Sequence, residues 1–502
     1  MTTPELQYPN AAKADRFVAA SSTRHDRIAG MTPLLVAVFA YALMTVVGRR
    51  LLFDPDTYFH VAAGNWIWAH GVPASDPFSF TKNGAPWVAH EWLAEVLFSA
   101  AFRVFAWVGV SALAALAIAA TFALLIRFLE REIARLPALL AGTISFVLMV
   151  PHLLARPHVL AMPLLVAWVI GLERRDGETR PPSFLLLPLM TLWANLHASF
   201  ALGLGLIGTY GLDAVLAVSD WPERRRIARQ WLCFFCGAIL AALLAPYTIK
   251  GLLFAFELSN QTFSLSVVNE WRGTDFSHFQ PMEIGILVLL ALGFLARIRL
   301  SAGKLLLLLG LVHLALAHIR NLDMLALIAP ILLARPLAEA LPALRAPADR
   351  ATTLAVRHML FAGITIAAVT AVALWHGIVR NEQDIGPTRA FAAATEAGVT
   401  GPVLNAYDFG GYLVFAGVAP FIDGRVDLYG DQFLHDYLDA VAGDALPSML
   451  KRYHIGWTLL QPKMKAVEVL DHLPGWQRVY GDGHAVVHRR IGTLPQSQPA
   501  HP

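Results

Sequence analysis

Charge is scarce in this sequence. Of its 502 residues only 15% are charged and 56% are hydrophobic, where a soluble globular domain carries about 25% charged residues. That shortfall excludes a water-facing surface along the whole chain, and so much apolar residue excludes a disordered scaffold. Cysteine is nearly absent. Cys233 and Cys236 are the only two, which excludes a disulfide framework. Both lie in one apolar run, not in the exposed, electropositive setting of a redox pair, and read as small lipid- or helix-facing residues. A net charge of +3 leaves no basic face for nucleic acid. What remains is the composition of a polytopic membrane protein.

Long apolar runs are what the chain has instead. A spanning helix needs about 20 mostly apolar residues. Eleven segments qualify: 31–48, 109–126, 137–154, 157–172, 183–195, 199–218, 231–247, 282–296, 303–319, 322–334 and 355–377. The first follows a polar segment, 1–28, and is longer than the apolar core of a signal peptide, with no small-residue cleavage site after it. It reads as an uncleaved signal anchor. Residues 92–107 carry Glu95, Ser99 and Arg103 four apart, a narrow polar stripe that suits a helix lying in the membrane interface.

With 92–107 not crossing, the arginines sort to one side. Arg127, Arg131 and Arg135, then Arg174, Arg175 and Arg180, then Arg224, Arg225, Arg226 and Arg229 lie in alternate loops, and later loops continue the pattern. The later loops on the opposite side, after the first one, hold only Arg156, Lys250, Arg272 and Arg320. Basic loops stay cytoplasmic, so the N-terminus is expected inside and the C-terminus outside. The expected architecture is an α-helical polytopic membrane domain, 29–378, with large outer loops at 49–108 and 248–281. An extracytoplasmic α/β domain follows at 379–492, then a loose tail, 493–502. In the outer domain, 403–405, 421–423, 457–460, 476–480 and 485–488 read as strands, and 431–441 and 464–472 as helices, with Gly481-Asp482-Gly483 a hairpin turn.

The unusual polar residues gather on the outer side. The first loop holds Asp54, Asp56, His60, His70, Asp76, His90, Glu91 and Glu95, and the later outer loops add Arg156, His158, Asn195, His197, Glu270, His318, Arg320 and Asp323. Ionisable groups at membrane depth are costly and mark functional cavities. Asp54 can cap a helix that begins with Pro55, which leaves Asp56 without a capping task. Asp56 and His60 then share a face, with Gly64 one turn on, where a small residue admits a ligand or a second backbone. Arg156 and Arg320 stand at helix ends, where a guanidinium binds phosphate. Lipid snorkelling, or an Arg320–Asp323 pair three residues apart, accounts for them equally. Taken singly, His158, His197 and His318 suit satisfied helix-end histidines as well as ligands.

The order of these motifs resembles the GT-C superfamily of membrane glycosyltransferases, and within it the catalytic subunits of oligosaccharyltransferases. The first-loop stretch Asp56-Thr57-Tyr58-Phe59-His60, then His70-Gly71, then Asp76-Pro77-Phe78-Ser79-Phe80 is similar to the family's first outer loop. Ser266-Val267-Val268-Asn269-Glu270 is similar to a Ser-Val-x-Glu motif with one extra residue, and Tyr407-Asp408-Phe409-Gly410 to the motif that opens the family's outer domain. Two departures stand out. The segment 151–158, PHLLARPH, lacks the paired acids of the family's second outer loop, and Asn405-Ala406 replaces two tryptophans.

The resemblance implies a sugar transferase that uses a polyprenyl-phosphate-linked donor at the outer face of the membrane, and the basic, signal-anchor start without retention motifs points to a bacterial inner membrane. The acceptor would be a saccharide, a lipid or a protein. Asp56 would be general base, or a ligand with Glu270 of a divalent cation such as Mg2+ or Mn2+, and His60 would orient Asp56. Arg320, Arg156, His158 and His197 would bind the phosphate, and Tyr407 and Asp408 the acceptor. A transporter or flippase of lipid-linked or envelope saccharides, and a non-catalytic membrane assembly protein, are the competing readings.

Overall fold

In the computed structural model, residues 31–173, 178–258, 263, 271–347, 356–378 and 385–491 are described. The N-terminal segment 1–28, Glu270 and the tail 493–502 lie outside them. Most of the length of the apolar runs becomes helix, since backbone polar groups in lipid must be satisfied within the segment. The helices are α1 (Thr32–Val46), α2 (Asp56–His70), α3 (Trp92–Glu132), α4 (Arg135–Met149), α5 (Pro157–Leu172), α6 (Leu187–Leu196), α7 (Phe200–Leu216) and α8 (Trp221–Ala242). They continue as α9 (Thr248–Leu258), α10 (Pro281–Leu295), α11 (Ala302–Ala317), α12 (Leu322–Ala340) and α13 (Val356–His376). Among the described residues four helices are long and apolar enough to cross a membrane: Trp92–Glu132, Arg135–His152, Ile319–Ala340 and Val356–His376. Shorter apolar helices accompany them. The chain is an integral membrane protein.

Helix α3 is central. It packs on α1, α2 and α5, and its buried face runs from Phe98 through Ile118 to Leu129. It breaks at Phe105 and Ala106, where φ reaches 48° at Ala106. The polar-striped stretch is thereby separated from the apolar one. Gly64 of α2 meets the first part of α3 so closely that a Cβ there would lie 2.0 Å from the Glu95 carbonyl oxygen. The outward faces carry large apolar side chains, such as Phe294, Leu295 and Trp375, each more than 80% exposed. Lipid, not water, is the solvent such a surface suits. Cys233 and Cys236 lie exposed on α8.

Beyond α13 a four-stranded sheet forms, in the order β1 (Val403–Asn405), β2 (Trp457–Leu460), β4 (Val486–Arg490), β3 (Trp476–Gly481). β1 and β2 are parallel, and the other pairs are antiparallel. Helices Val426–Val441, Leu446–Arg452 and Lys465–His472 pack around it. Residues 421–423, read as a strand from sequence, are not one. Their polar groups go instead to a side chain: Asn405 accepts from the Phe421 N–H and donates to the Ile422 carbonyl, both at 2.8 Å. That loop leaves Gly424 and Arg425 facing α2, onto which the short helix Gly410–Phe415 also packs.

Candidate functional site

Helix α2 begins beside α5. The Asp54 carboxylate accepts the Asp56 N–H at 2.8 Å, the capping contact expected from Asp54-Pro55. Arg156 ends the PHLLAR turn in an extended conformation ahead of Pro157, so its side chain is free of the helix and reaches both aspartates. Its Nη2 lies 2.9 Å from Asp56 Oδ2 and 3.2 Å from Asp54 Oδ1, and its Nε also faces Asp54. The other oxygen of Asp56, Oδ1, abuts Gly424, where a Cβ would come within 2.3 Å of it. Tyr407 donates to the Gly424 carbonyl at 3.0 Å. Burial, then the Asp56 and Asp423 carboxylates, push the Tyr407 phenol up, well above its usual range.

A cavity of about 160 Å³ opens beside Arg156. Its polar wall is Arg156, His158, His197, Arg320, His152 and Asp323, and its apolar wall includes Met162, Leu165 and Leu327. Asp323 stands 3.1 Å from His152 Nδ1 and 3.9 Å from His158 Nε2. The local Arg320–Asp323 pair gives way to these tertiary contacts, and Arg320 instead lies over the Trp271 ring at 4.4 Å.

His197 is neutral. Its Nδ1 accepts the Ser199 backbone N–H at 3.1 Å, so the ring proton is assigned to Nε2, which faces Glu91 at 3.4 Å. Burial pushes the imidazole down to about 3. His90, 3.6 Å from Glu91, goes the other way. Burial, the largest single influence, opposes its charge, but the Glu91 carboxylate, helped by Asp427 and the Val88 carbonyl, pushes it up to about 9. Burial likewise works against Glu91, yet His90, then His197 and His60, hold its carboxyl far below the usual carboxylate range.

The structure thus brings Arg156, His158, His197 and Arg320 together in one cavity wall, with Asp56 joined to it through Arg156 and Tyr407 joined to Asp56 through Gly424. His60 turns to Glu95, 3.7 Å away, and not to the Asp56 it was expected to orient. Asp408 is exposed and accepts from Gln461 at 2.9 Å. Glu270 lies outside the described residues. His152 was not singled out from sequence, and Glu91 and Asp323 were noted among the outer polar residues without a role in the site. Glu91 carried a signal as the residue ahead of the long helix. His152 and His158, six apart in PHLLARPH, share one carboxylate only because the turn between them folds back.

Asp56 faces the Arg156 guanidinium, which would repel a divalent cation, and among the described residues, which do not include Glu270, no group of three or more His, Cys, Asp or Glu side chains is placed to hold one.

No protein-family model matches the chain, and no curated protein matches it in sequence. Solved structures do. The archaeal oligosaccharyltransferase AglB from Archaeoglobus fulgidus, in complex with an inhibitory peptide and a dolichol-phosphate, is similar over 93% of this chain and 75% of its own, with a TM-score of 0.50 at 12% identity. ArnT from Cupriavidus metallidurans, bound to undecaprenyl phosphate, aligns over 93% of this chain and 98% of its own, at 13% identity and a TM-score of 0.49. The arabinofuranosyltransferase AftD from Mycobacteria aligns over 92% of this chain but 40% of its own, at 16% identity and a TM-score of 0.46. At such identities a likeness speaks for the fold alone. The match to the oligosaccharyltransferase shows that this chain is built on the GT-C fold, as its loop motifs implied.

Proposed function

We propose that the protein is a membrane glycosyltransferase. It would move a sugar from a polyprenyl-phosphate-linked donor to a saccharide, lipid or protein acceptor at the outer face of a bacterial inner membrane. The observation that carries this reading is the cavity: two arginines, three histidines and Asp323 on one wall and an apolar wall alongside, with Asp56 held against one of those arginines, Arg156. A polyprenyl phosphate has the matching form, a phosphate at headgroup level and a chain in the bilayer.

In this mechanism an acceptor hydroxyl oxygen attacks the anomeric carbon. The bond from that carbon to the phosphate oxygen breaks, and its electron pair leaves with the polyprenyl phosphate. Asp56 takes the hydroxyl proton, a contribution of typically about 10²–10⁴-fold. Arg156 and Arg320 stabilise the leaving phosphate. With guanidinium groups supplying the positive charge, transfer is expected to survive a chelator of Mg2+ or Mn2+.

The test uses the purified protein in lipid with a panel of polyprenyl-phosphate sugars. Loss of the lipid-linked sugar is followed by mass spectrometry for wild type and Asp56→Ala, with and without chelator. Turnover that depends on Asp56 is the expected result. Transfer that persists in Asp56→Ala would sink the mechanism. No turnover with any donor would favour a transporter, a flippase or an assembly protein.

A further inference from the structure

Arg425 is a buried cation with two carboxylate partners, one two residues away and one in the first loop. Its Nε and Nη2 form a fork on Asp423, at 2.8 and 2.6 Å, and its Nη1 reaches Asp76 of the first loop at 2.7 Å. Three aromatic rings enclose the guanidinium: Trp87, Phe59 and Phe78, with centroids at 4.7, 4.9 and 5.3 Å. Phe59 belongs to α2, the helix that Asp56 begins. The cation therefore ties the loop after Asn405 to both the first loop and the start of α2.

The residue before this clasp is Gly424, and it touches the Asp56 carboxylate. Its φ lies outside the left-handed region, so the backbone conformation does not call for glycine. The close approach does. With a Cβ 2.3 Å from Oδ1, the carboxylate would have to leave its place, and with it the contact of Oδ2 to Arg156.

We infer that Gly424 and Arg425 are positioning residues for Asp56. The C-terminal part of the chain completes the site by fixing one carboxylate oxygen while Arg156 holds the other. This rests on the reading of Asp56 as the base. The arrangement explains why a buried, expensive cation stands one residue from the site: its fork and its aromatic cage set where the Gly424 backbone lies.

Three variants test this in the reconstituted full chain: Gly424→Ala, Arg425→Lys and Asp76→Asn. Gly424→Ala is expected to lower kcat by about 10²-fold, the scale of a one-ångström misplacement, while KM for the donor changes little, because Arg320 and His158 are untouched. Arg425→Lys keeps the charge but loses the fork, and Asp76→Asn keeps the shape but loses a charge, so both are expected to lower kcat by a smaller factor in the same direction. A merely structural role would lower the unfolding midpoint and leave kcat per folded molecule alone. A readout independent of turnover uses Asp56→Cys, with Cys233 and Cys236 changed to Ser. Its labelling by a small charged thiol reagent should speed up when Arg425→Lys is added. Wild-type kcat in Gly424→Ala, or unchanged labelling, would overturn the inference while leaving Asp56-dependent transfer intact. If wild type transfers nothing, the functional reading fails, and the labelling still decides whether Arg425 places residue 56.

Discussion

Arg156 Nη2 stands 2.9 Å from Asp56 Oδ2, although the two residues begin different helices a hundred positions apart. The same guanidinium faces Asp54, which is 1% exposed. Removing Arg156 would leave that carboxylate buried without its counter-charge. Arg156→Ala is expected to cost about 3 kcal/mol of stability, the scale for breaking a buried pair, and to abolish transfer. Arg156→Lys keeps a point charge without the fork and should lose less of both. Thermal unfolding in detergent and the transfer assay read the two effects separately.

Arg320 lines the cavity from the start of α12 and lies over Trp271. A charged hydrogen bond to a ligand contributes about 1.5–3 kcal/mol. Arg320→Ala should therefore raise donor KM by tenfold or more on that scale, with a smaller change in kcat. Trp271→Ala removes only the ring face, worth about 0.5–1 kcal/mol, and should have the weaker effect. Donor titrations of both variants check the order.

His90 links pH to stability. Its folded value is pushed from 6.5 up to about 9 against the pull of burial, chiefly by the Glu91 carboxylate. A raised histidine stabilises most when both states are protonated, so its contribution is full below pH 6.5 and is lost as pH rises through about 9. The unfolding midpoint should fall across that window in wild type and fall less in His90→Gln. An equal slope in the two proteins would show that His90 does not carry the effect.

Gly64 should tolerate no side chain. Its Cβ would sit 2.0 Å from the Glu95 carbonyl, and backbone cannot yield as a flexible side chain can. Gly64→Ala is expected to cost about 1–3 kcal/mol, as overpacking does, visible as a lower unfolding midpoint. Because the contact joins α2 to α3, transfer should fall as well, through displacement of the helix that Asp56 begins.

Much of this was legible in the chain. Most of the length of the apolar runs, among the described residues, is helical, because a long apolar segment in lipid has few other ways to satisfy its backbone. The strands at 403–405 and 457–460 and the turn at 481–483 were visible from local pattern. The stretch 421–423 looked the same locally, yet Asn405 takes its backbone groups and it pairs with no strand. Asp54 showed its capping role because that contact spans two residues. Arg320 and Asp323 suggested a pair for the same reason, and there local spacing misled: His152 and His158 reach Asp323 across the fold.

The sequence by itself determined the membrane class, the helix runs and the concentration of acids, histidines and arginines in one set of loops, since these follow from composition and from periods of a few residues. Only the tertiary structure decided which of those groups meet. Arg156 takes Asp54 and Asp56, His60 takes Glu95, His197 takes Glu91, and the Gly424 backbone comes up against Oδ1 of Asp56. Each partner lies tens to hundreds of residues away, and a side chain of fixed reach finds it only after packing brings the helices together.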